Sequence, residues 1–212
     1  MKVLALYDIH GNIDALEAVL ADPRAAGPDA VVVGGDVVPG PFARETLDRL
    51  DRLEGPVHWV RGNGEREESF AELGELPLTL ELDGVLYCHA SPRRDDEILT
   101  RLSSAERWAD ALAGVTARLV VGGHTHQQDD RMVGDVRFVN AGSVGLPYEG
   151  DGAARWLWVA DGAPDLRATA YDAAAAGRRM LAAGWPDELS INAALIEPVE
   201  PIEVTRIFEE RA

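Results

Sequence analysis

The sequence predicts an α/β protein with two mixed β-sheets and helices on their outer faces. Three observations lead there. Short apolar runs rich in β-branched residues alternate with amphipathic stretches from Lys2 to Val60. A two-residue turn signal at Asp83–Gly84 then introduces antiparallel pairing. Histidines and acids cluster where the strands end.

Lys2–Tyr7, Ala30–Val33 and Val57–Val60 are continuous apolar runs, the pattern of strands buried on both faces. Between them, Ile13–Leu20 and Ala43–Leu53 place Leu16, Val19 and Leu20, then Leu47, Leu50 and Leu53, at three and four spacing, the face of a helix. The resulting βαβαβ order implies a parallel sheet. From Leu78 the pattern changes, because Leu78–Leu82 and Val85–His89 flank Asp83–Gly84 as a hairpin would. Further strands are expected at Arg118–Val121, Val136–Val139, Trp156–Val159 and Leu166–Ala170, and helices at Ala105–Leu112 and Ala173–Ala183. Pro186 and the Glu- and Pro-containing stretch Glu197–Glu203 predict a looser, peripheral tail from about residue 186, with Leu189–Ile196 as a candidate extra helix. Trp156 and Trp158 alternate along their strand and are read as exposed, covering a sheet face or a subunit contact.

At 212 residues and 46% apolar, the chain is expected to form one domain over 1–212. No apolar run approaches membrane-spanning length, and Lys2–Tyr7 runs into Asp8 without a small-residue cleavage site, so a cytoplasmic protein without membrane contact is expected. Cys88 is the lone cysteine, which excludes an intrachain disulfide framework and leaves nitrogen and oxygen to hold any metal. The formal charge of −17 is the wrong sign for long nucleic acid but leaves a small anionic substrate open, since bound cations dominate the field inside a cleft. A homo-oligomer is the base-rate expectation only.

The polar residues that carry chemistry sit after strands: Asp8 and His10 after the first, Gly35-Asp36 after the second, Gly62-Asn63 after the third. His89 ends a hairpin strand, and Gly123-His124-Thr125-His126 follows Arg118–Val121. C-terminal strand ends are where α/β sheets bind ligands. Residues two apart on extended backbone project to one side, which suits Asp8 with His10, while His124 and His126 project together or diverge toward neighbouring ions. The preceding glycines are expected to let the backbone turn and keep the cavity open. Imidazole and carboxylate without thiolate suit Mn²⁺ first, then Fe, Zn²⁺ or Ni²⁺, with Mg²⁺ also allowed by the harder oxygen of Asn63.

This ordered set, DxH, GD, GN, H and GHxH, resembles the calcineurin-like metallophosphoesterase superfamily. Asp8-Ile9-His10-Gly11-Asn12, His89-Ala90-Ser91-Pro92 and Asn140-Ala141-Gly142-Ser143-Val144-Gly145-Leu146-Pro147 are similar to its compact phosphodiesterase branch of YfcE type. The resemblance implies a four-layer αββα sandwich and a dinuclear centre. Asp8, His10, Asp36 and His126 would hold one ion, and Asp36, Asn63, His89 and His124 the other, with Asp36 as the bridge. The implied activity is hydrolysis of small phosphate esters by metal-activated hydroxide, with Asp36, Asn63 and His124 acting through the metals and no protein nucleophile. Two ions roughly 3.5–4 Å apart acidify a shared water and stabilise an in-line transition state. The alternatives are a non-catalytic metal-binding interaction module on the same fold, or a nuclease of short oligonucleotides.

One departure is informative. Many superfamily members carry a histidine after GN that protonates the leaving alcohol, whereas this chain reads Gly62-Asn63-Gly64-Glu65. The expected enzyme is therefore a phosphodiesterase that needs a good leaving group. Asn12 is read either as a helix cap or as a phosphate contact, and Arg61 either as a substrate contact or as an ion-pair partner. His58 is placed outside the site, Arg93 and Arg94 as a solvated pair, Ser91 as a turn former, Asn140–Pro147 as a supporting loop and Cys88 as a small buried residue.

Overall fold

The computed structural model describes residues 1–66 and 68–212. Ten strands and six α-helices follow in the order β1 (Lys2–Leu6), α1 (Ile13–Ala21), β2 (Ala30–Val33), α2 (Ala43–Leu50), β3 (Val57–Trp59), β4 (Thr79–Leu82), β5 (Val85–Cys88), α3 (Ala105–Ala111), β6 (Leu119–Gly122), β7 (Asp129–Val133), β8 (Val136–Asn140), β9 (Ala154–Ala160), β10 (Ala163–Thr169), α4 (Ala173–Ala182), α5 (Glu188–Ile191) and α6 (Pro201–Glu210) among the described residues. One sheet has the order β10-β9-β1-β2-β3 and the other β4-β5-β6-β8-β7. Both are mixed. In the first, β1, β2 and β3 run parallel while β9 and β10 pair antiparallel. In the second, β5, β6 and β8 are parallel and are flanked by antiparallel β4 and β7.

The continuous apolar strands have two faces to bury, and the structure covers both. Val3, Ala5, Tyr7 and Val32 of the first sheet pack on Val85, Tyr87, Leu119, Val121 and Val139 of the second. The opposite face of the first sheet, including Leu4, Leu6, Val31 and Val33, lies under Leu16 and Val19 of α1 and Leu47 and Leu50 of α2. Trp108, Ala111 and Leu112 around α3 cover Cys88, Val120 and Phe138 on the outer face of the second. Helix, sheet, sheet, helix is thus the layer order, the αββα sandwich expected from the sequence. No described helix is long and apolar enough to cross a membrane.

Three features differ from the sequence reading. Strand β7 went unanticipated, because Asp129–Val133 is an edge strand of charged residues with no apolar stripe; the Gly134–Asp135 turn that joins it to β8 was its only signal. Trp156 and Trp158 are buried, at 0% and 9% exposure, beneath the outer helices, so neither supplies an exposed face or a subunit contact. The C-terminal segment is structured rather than loose. Leu189–Ile196 spans α5 and the single π-helical turn Asn192–Ile196, and Pro201 opens α6 at its first position, where its missing N–H costs nothing. The tail is tied down: the Thr205 hydroxyl donates to Gln127 Oε1 at 2.7 Å, and Glu209 accepts from Thr100, Ser103 and Arg107.

Candidate metal centre

The candidate ligands converge at the C-terminal ends of β1, β2, β3, β5 and β6, where the edges of the two sheets meet. The Tyr7 hydroxyl ties those sheets together by donating to the Val121 carbonyl at 3.2 Å. Two groups form. Asp8, His10 and His126 make one, and Asp36, His89 and His124 the other, with the donor atoms in each within 4.8 Å of one another. One amide atom of Asn63 lies 2.9 Å from His124 Nδ1, beside the second group. All seven residues named from the sequence are therefore together, and His124 and His126 diverge, one to each group.

Their backbone is not extended, so alternation is not what aims Asp8 and His10 inward. Asp8, His10, Asp36, His124 and His126 have φ values of 52°, 48°, 52°, 70° and 58°, in the left-handed region that side chains other than glycine seldom occupy. Each such residue costs about 1–3 kcal/mol and persists only when its surroundings hold it there. Main-chain bonds between the strand-end turns supply that hold: Asp8 N–H donates to the Gly35 carbonyl at 3.0 Å, His10 N–H to Asp36 at 2.9 Å and Gly123 N–H to His89 at 2.6 Å. Glycine serves close approach at Gly123, where a Cβ would press on Asp8 Oδ2 and the Tyr7 ring.

Hydrogen bonds orient the rings and carboxylates. His89 Nδ1 donates to the Gly34 carbonyl at 2.9 Å and His126 Nδ1 to the Leu146 carbonyl at 2.8 Å, which turns each Nε2 toward the centre. His124 N–H donates to Asp8 Oδ2 at 2.9 Å, and Gly64 N–H to Asp36 Oδ1 at 2.7 Å. The two Asp36 oxygens face different groups, Oδ2 lying 3.8 Å from His10 Nε2 and Oδ1 3.5 Å from His89 Nε2. Asp8 Oδ1 is 3.3 Å from His126 Nε2 and 3.7 Å from His89 Nε2.

Burial and opposite charges pull the titrations of the cluster apart. Burial acts to raise the pKa of Asp36, but His89, His10 and the Gly64 N–H outweigh it and hold the carboxyl below its usual range. Asp8 is likewise held low by His126 and His89 against its burial. His89 is pushed the other way: burial acts to lower it, and Asp36 and Asp8 raise it to about 10. His124 is lowered to about 4 by burial and by the charge of His89. Asp8 Oδ1 and His89 Nε2 are buried with no hydrogen-bond partner among the described residues. Two buried carboxylates, four imidazoles and two orphaned donor atoms fit divalent cations held by nitrogen and oxygen.

Supporting residues complete the centre. Asn140 donates to the Gly123 carbonyl at 2.7 Å and to the Thr125 hydroxyl at 3.0 Å. The Ser143 hydroxyl donates to the Asp8 carbonyl at 2.7 Å, so the Asn140–Pro147 loop braces both ligand turns as expected. Glu65 was missed from the sequence. Its carboxylate is buried and accepts from the backbone N–H groups of Asp36, Gly62, Val37 and Val38 at 2.8, 2.7, 2.8 and 3.3 Å. The signal was an acid retained two residues after Asn63 although the histidine between is absent.

The side chains of Asn12 and Arg61 are both taken up by bonds within the protein. Asn12 is fully buried: its oxygen caps α1 through Ala15 N–H at 3.1 Å, and its nitrogen donates to the Gly145 carbonyl at 2.8 Å and to Tyr171 at 3.1 Å. Arg61 pairs with Asp95 at 3.1 Å and donates to the Gly74 carbonyl at 3.0 Å. The remaining readings match the structure. His58 lies in β3 away from the centre, Arg93 and Arg94 sit in exposed ion pairs, Ser91 closes a turn with Arg94, and the Cys88 thiol is buried against the Val121 carbonyl.

Solved structures share this architecture. A metallophosphoesterase from Sphaerobacter thermophilus is 24% identical, with a TM-score of 0.73 over 92% of this chain and 99% of that one. Hypothetical protein PH1004 from Pyrococcus horikoshii OT3 is 18% identical, with a TM-score of 0.78 over 94% and 99%. YfcE, a phosphoesterase from E. coli, is 24% identical, with a TM-score of 0.54 over 80% of this chain and all of its own. The chain matches none of the curated proteins compared with it. Residues 1–159 match the calcineurin-like phosphoesterase superfamily domain, a span that contains both acid–histidine groups and the turns that aim them. On that match, with the sandwich fold beneath it, the chain belongs to the calcineurin-like phosphoesterase superfamily.

Proposed function

We propose that the chain is a dinuclear metal-dependent phosphoesterase that cleaves small phosphodiesters, with manganese as the preferred ion. The observation that carries the proposal is the pair of Asp36 oxygens, one turned to each histidine group, beside the orphaned Asp8 Oδ1 and His89 Nε2. Asp8, His10, Asp36 and His126 would hold one ion, and Asp36, Asn63, His89 and His124 the other. Two divalent cations supply Lewis-acid charge for phosphoryl oxygens and lower the pKa of water.

The chain's own residues then hold and exclude. The Leu146 and Gly34 carbonyls fix the tautomers of His126 and His89, and Gly64 N–H and His124 N–H fix the two carboxylates. Among the described residues lining the cavity, no strong acid is placed to protonate a leaving alkoxide. A Cβ at Gly64 would overlap the Val38 carbonyl oxygen, so this backbone leaves no room for a side chain there. Within the cavity, the Tyr148 hydroxyl is raised above its usual 10 by burial, and the Asp187 carboxylate accepts from Ser190 N–H and Oγ. These observations support a preference for esters whose leaving group departs as a stable anion.

Fold alone does not establish activity, so the test is chemical. Purified chain, stripped and reloaded, is assayed on bis-p-nitrophenyl phosphate with and without Mn²⁺. Metal-stimulated turnover is expected; a folded, metal-loaded protein with none is an interaction module instead.

A further inference from the structure

The cavity over the metal centre has a second wall that comes largely from outside the family-matched span. It encloses about 270 Å³. On one side stand the candidate ligands. On the other stand Leu146, Tyr148, Trp185, Asp187, Ser190 and Phe208, the last four lying beyond residues 1–159.

This wall is aromatic and begins at a ligand. Tyr148 stacks on His126, with centroids 5.2 Å apart and planes 12° from parallel. Phe208 of α6 meets Tyr148 at 6.2 Å and 59°. Trp185 and Tyr148 each pack against the apolar cluster of Leu146, Met180 and Ile191, and both line the cavity. The polar rim offers little to a second anion, because no lysine or arginine lines the cavity among the described residues and Asp187 adds negative charge. A polyphosphate tail would need cationic side chains that are not there. A planar uncharged ring matches the wall, since aromatic faces reward stacking. Size points the same way: pockets for drug-sized ligands run to roughly 300–1,000 Å³, so this one suits a phosphate and a single ring system rather than an oligonucleotide.

We infer that the wall formed by Tyr148, Trp185 and Phe208 binds the planar aromatic substituent of a monoanionic phosphodiester whose phosphate lies over the metal centre. The inference rests on the phosphoesterase reading for the position of the phosphate, and it makes the C-terminal segment the determinant of substrate class.

Direct binding tests it without turnover. Mn²⁺-loaded protein, freed of excess metal, is titrated calorimetrically with phenylphosphonate, methylphosphonate and hexylphosphonate. Phenylphosphonate is expected to bind about tenfold more tightly than methylphosphonate, the scale of one stacked ring, and more tightly than the hexyl compound. Trp185→Ala should bring the phenyl-to-methyl ratio toward one, and Trp185→Phe should keep most of it, with metal content and melting temperature confirming that both variants fold. Equal affinities in the wild type, a hexyl compound as good as phenyl, or a ratio unchanged in Trp185→Ala overturns the inference. Ring preference without hydrolysis of bis-p-nitrophenyl phosphate removes the enzyme reading and keeps the wall; hydrolysis without ring preference does the reverse.

Discussion

The Glu65 carboxylate accepts the backbone N–H of Asp36 at 2.8 Å, and the same oxygen accepts Gly62 N–H at 2.7 Å. One buried side chain therefore clamps the turn that carries Asp36 to the turn that carries Asn63. Its pKa is raised by burial first and then by the nearby Asp36 charge, the electrostatic cost of placing an acid there.

Glu65→Gln keeps the shape but turns an amide N–H₂ toward backbone donors. A buried donor left unpaired costs about 1–3 kcal/mol, so a lower melting temperature is expected together with weaker binding of the ion shared by Asp36 and Asn63. Thermal melts and metal titration check this. A variant with wild-type melting and wild-type affinity for both ions would show that the clamp is dispensable.

Gly64 is the second structural test. Gly64→Ala drives a methyl group into the Val38 carbonyl and displaces the N–H that holds Asp36 Oδ1. Overpacking of this kind costs about 1–3 kcal/mol. Gly64→His, which places the superfamily's usual residue in this chain, is expected to lose metal and activity rather than gain turnover of alkyl esters. Improved alkyl-ester hydrolysis by Gly64→His would contradict the packing argument.

Leaving-group chemistry gives the third. With no strong acid over the centre among the described residues, kcat for p-nitrophenyl diesters should exceed that for dialkyl esters by at least about 10²-fold, the ordinary contribution of a general acid. Rates on matched esters of graded leaving-group pKa measure it. A flat dependence on that pKa would reveal a proton donor.

Proton linkage gives the fourth. In the metal-free protein His89 is raised to about 10, against about 6.5 in an unfolded chain. Between these values the folded state holds a proton that the unfolded state has released, so His89's contribution to stability is full below about 6.5 and is lost as pH rises through about 10. A cation must displace that proton, so apparent metal affinity should rise from pH 7 to pH 9 with proton release. Calorimetry in two buffers of different ionisation enthalpy reads the release directly; identical heats in both would rule it out.

The sequence carried the centre better than its surroundings. Asp8, His10, His89, His124 and His126 were legible because few histidines occur and each follows an apolar run, and the βαβαβ start was legible because parallel strands are continuous in apolar residues. Strand alternation does not account for the Asp8–His10 spacing, because both residues are left-handed, a conformation set by tertiary hydrogen bonds that no local pattern records. Glu65 was hidden among thirty-seven acids by its resemblance to a solvated one. The aromatic wall was invisible for another reason: Tyr148, Trp185 and Phe208 meet only after α5 and α6 fold back, and Pro186 with the acidic stretch Glu197–Glu203 read as a loose tail.

Metal content and turnover measured together on wild type and Asp36→Asn test the dinuclear assignment most directly. The wild type should hold two Mn²⁺ ions and hydrolyse bis-p-nitrophenyl phosphate. Asp36→Asn, folded by its melting curve, should lose at least one ion and at least about 10²-fold in turnover, because one side chain faces both groups. Two ions retained at a near-wild-type rate would contradict the bridging role of Asp36.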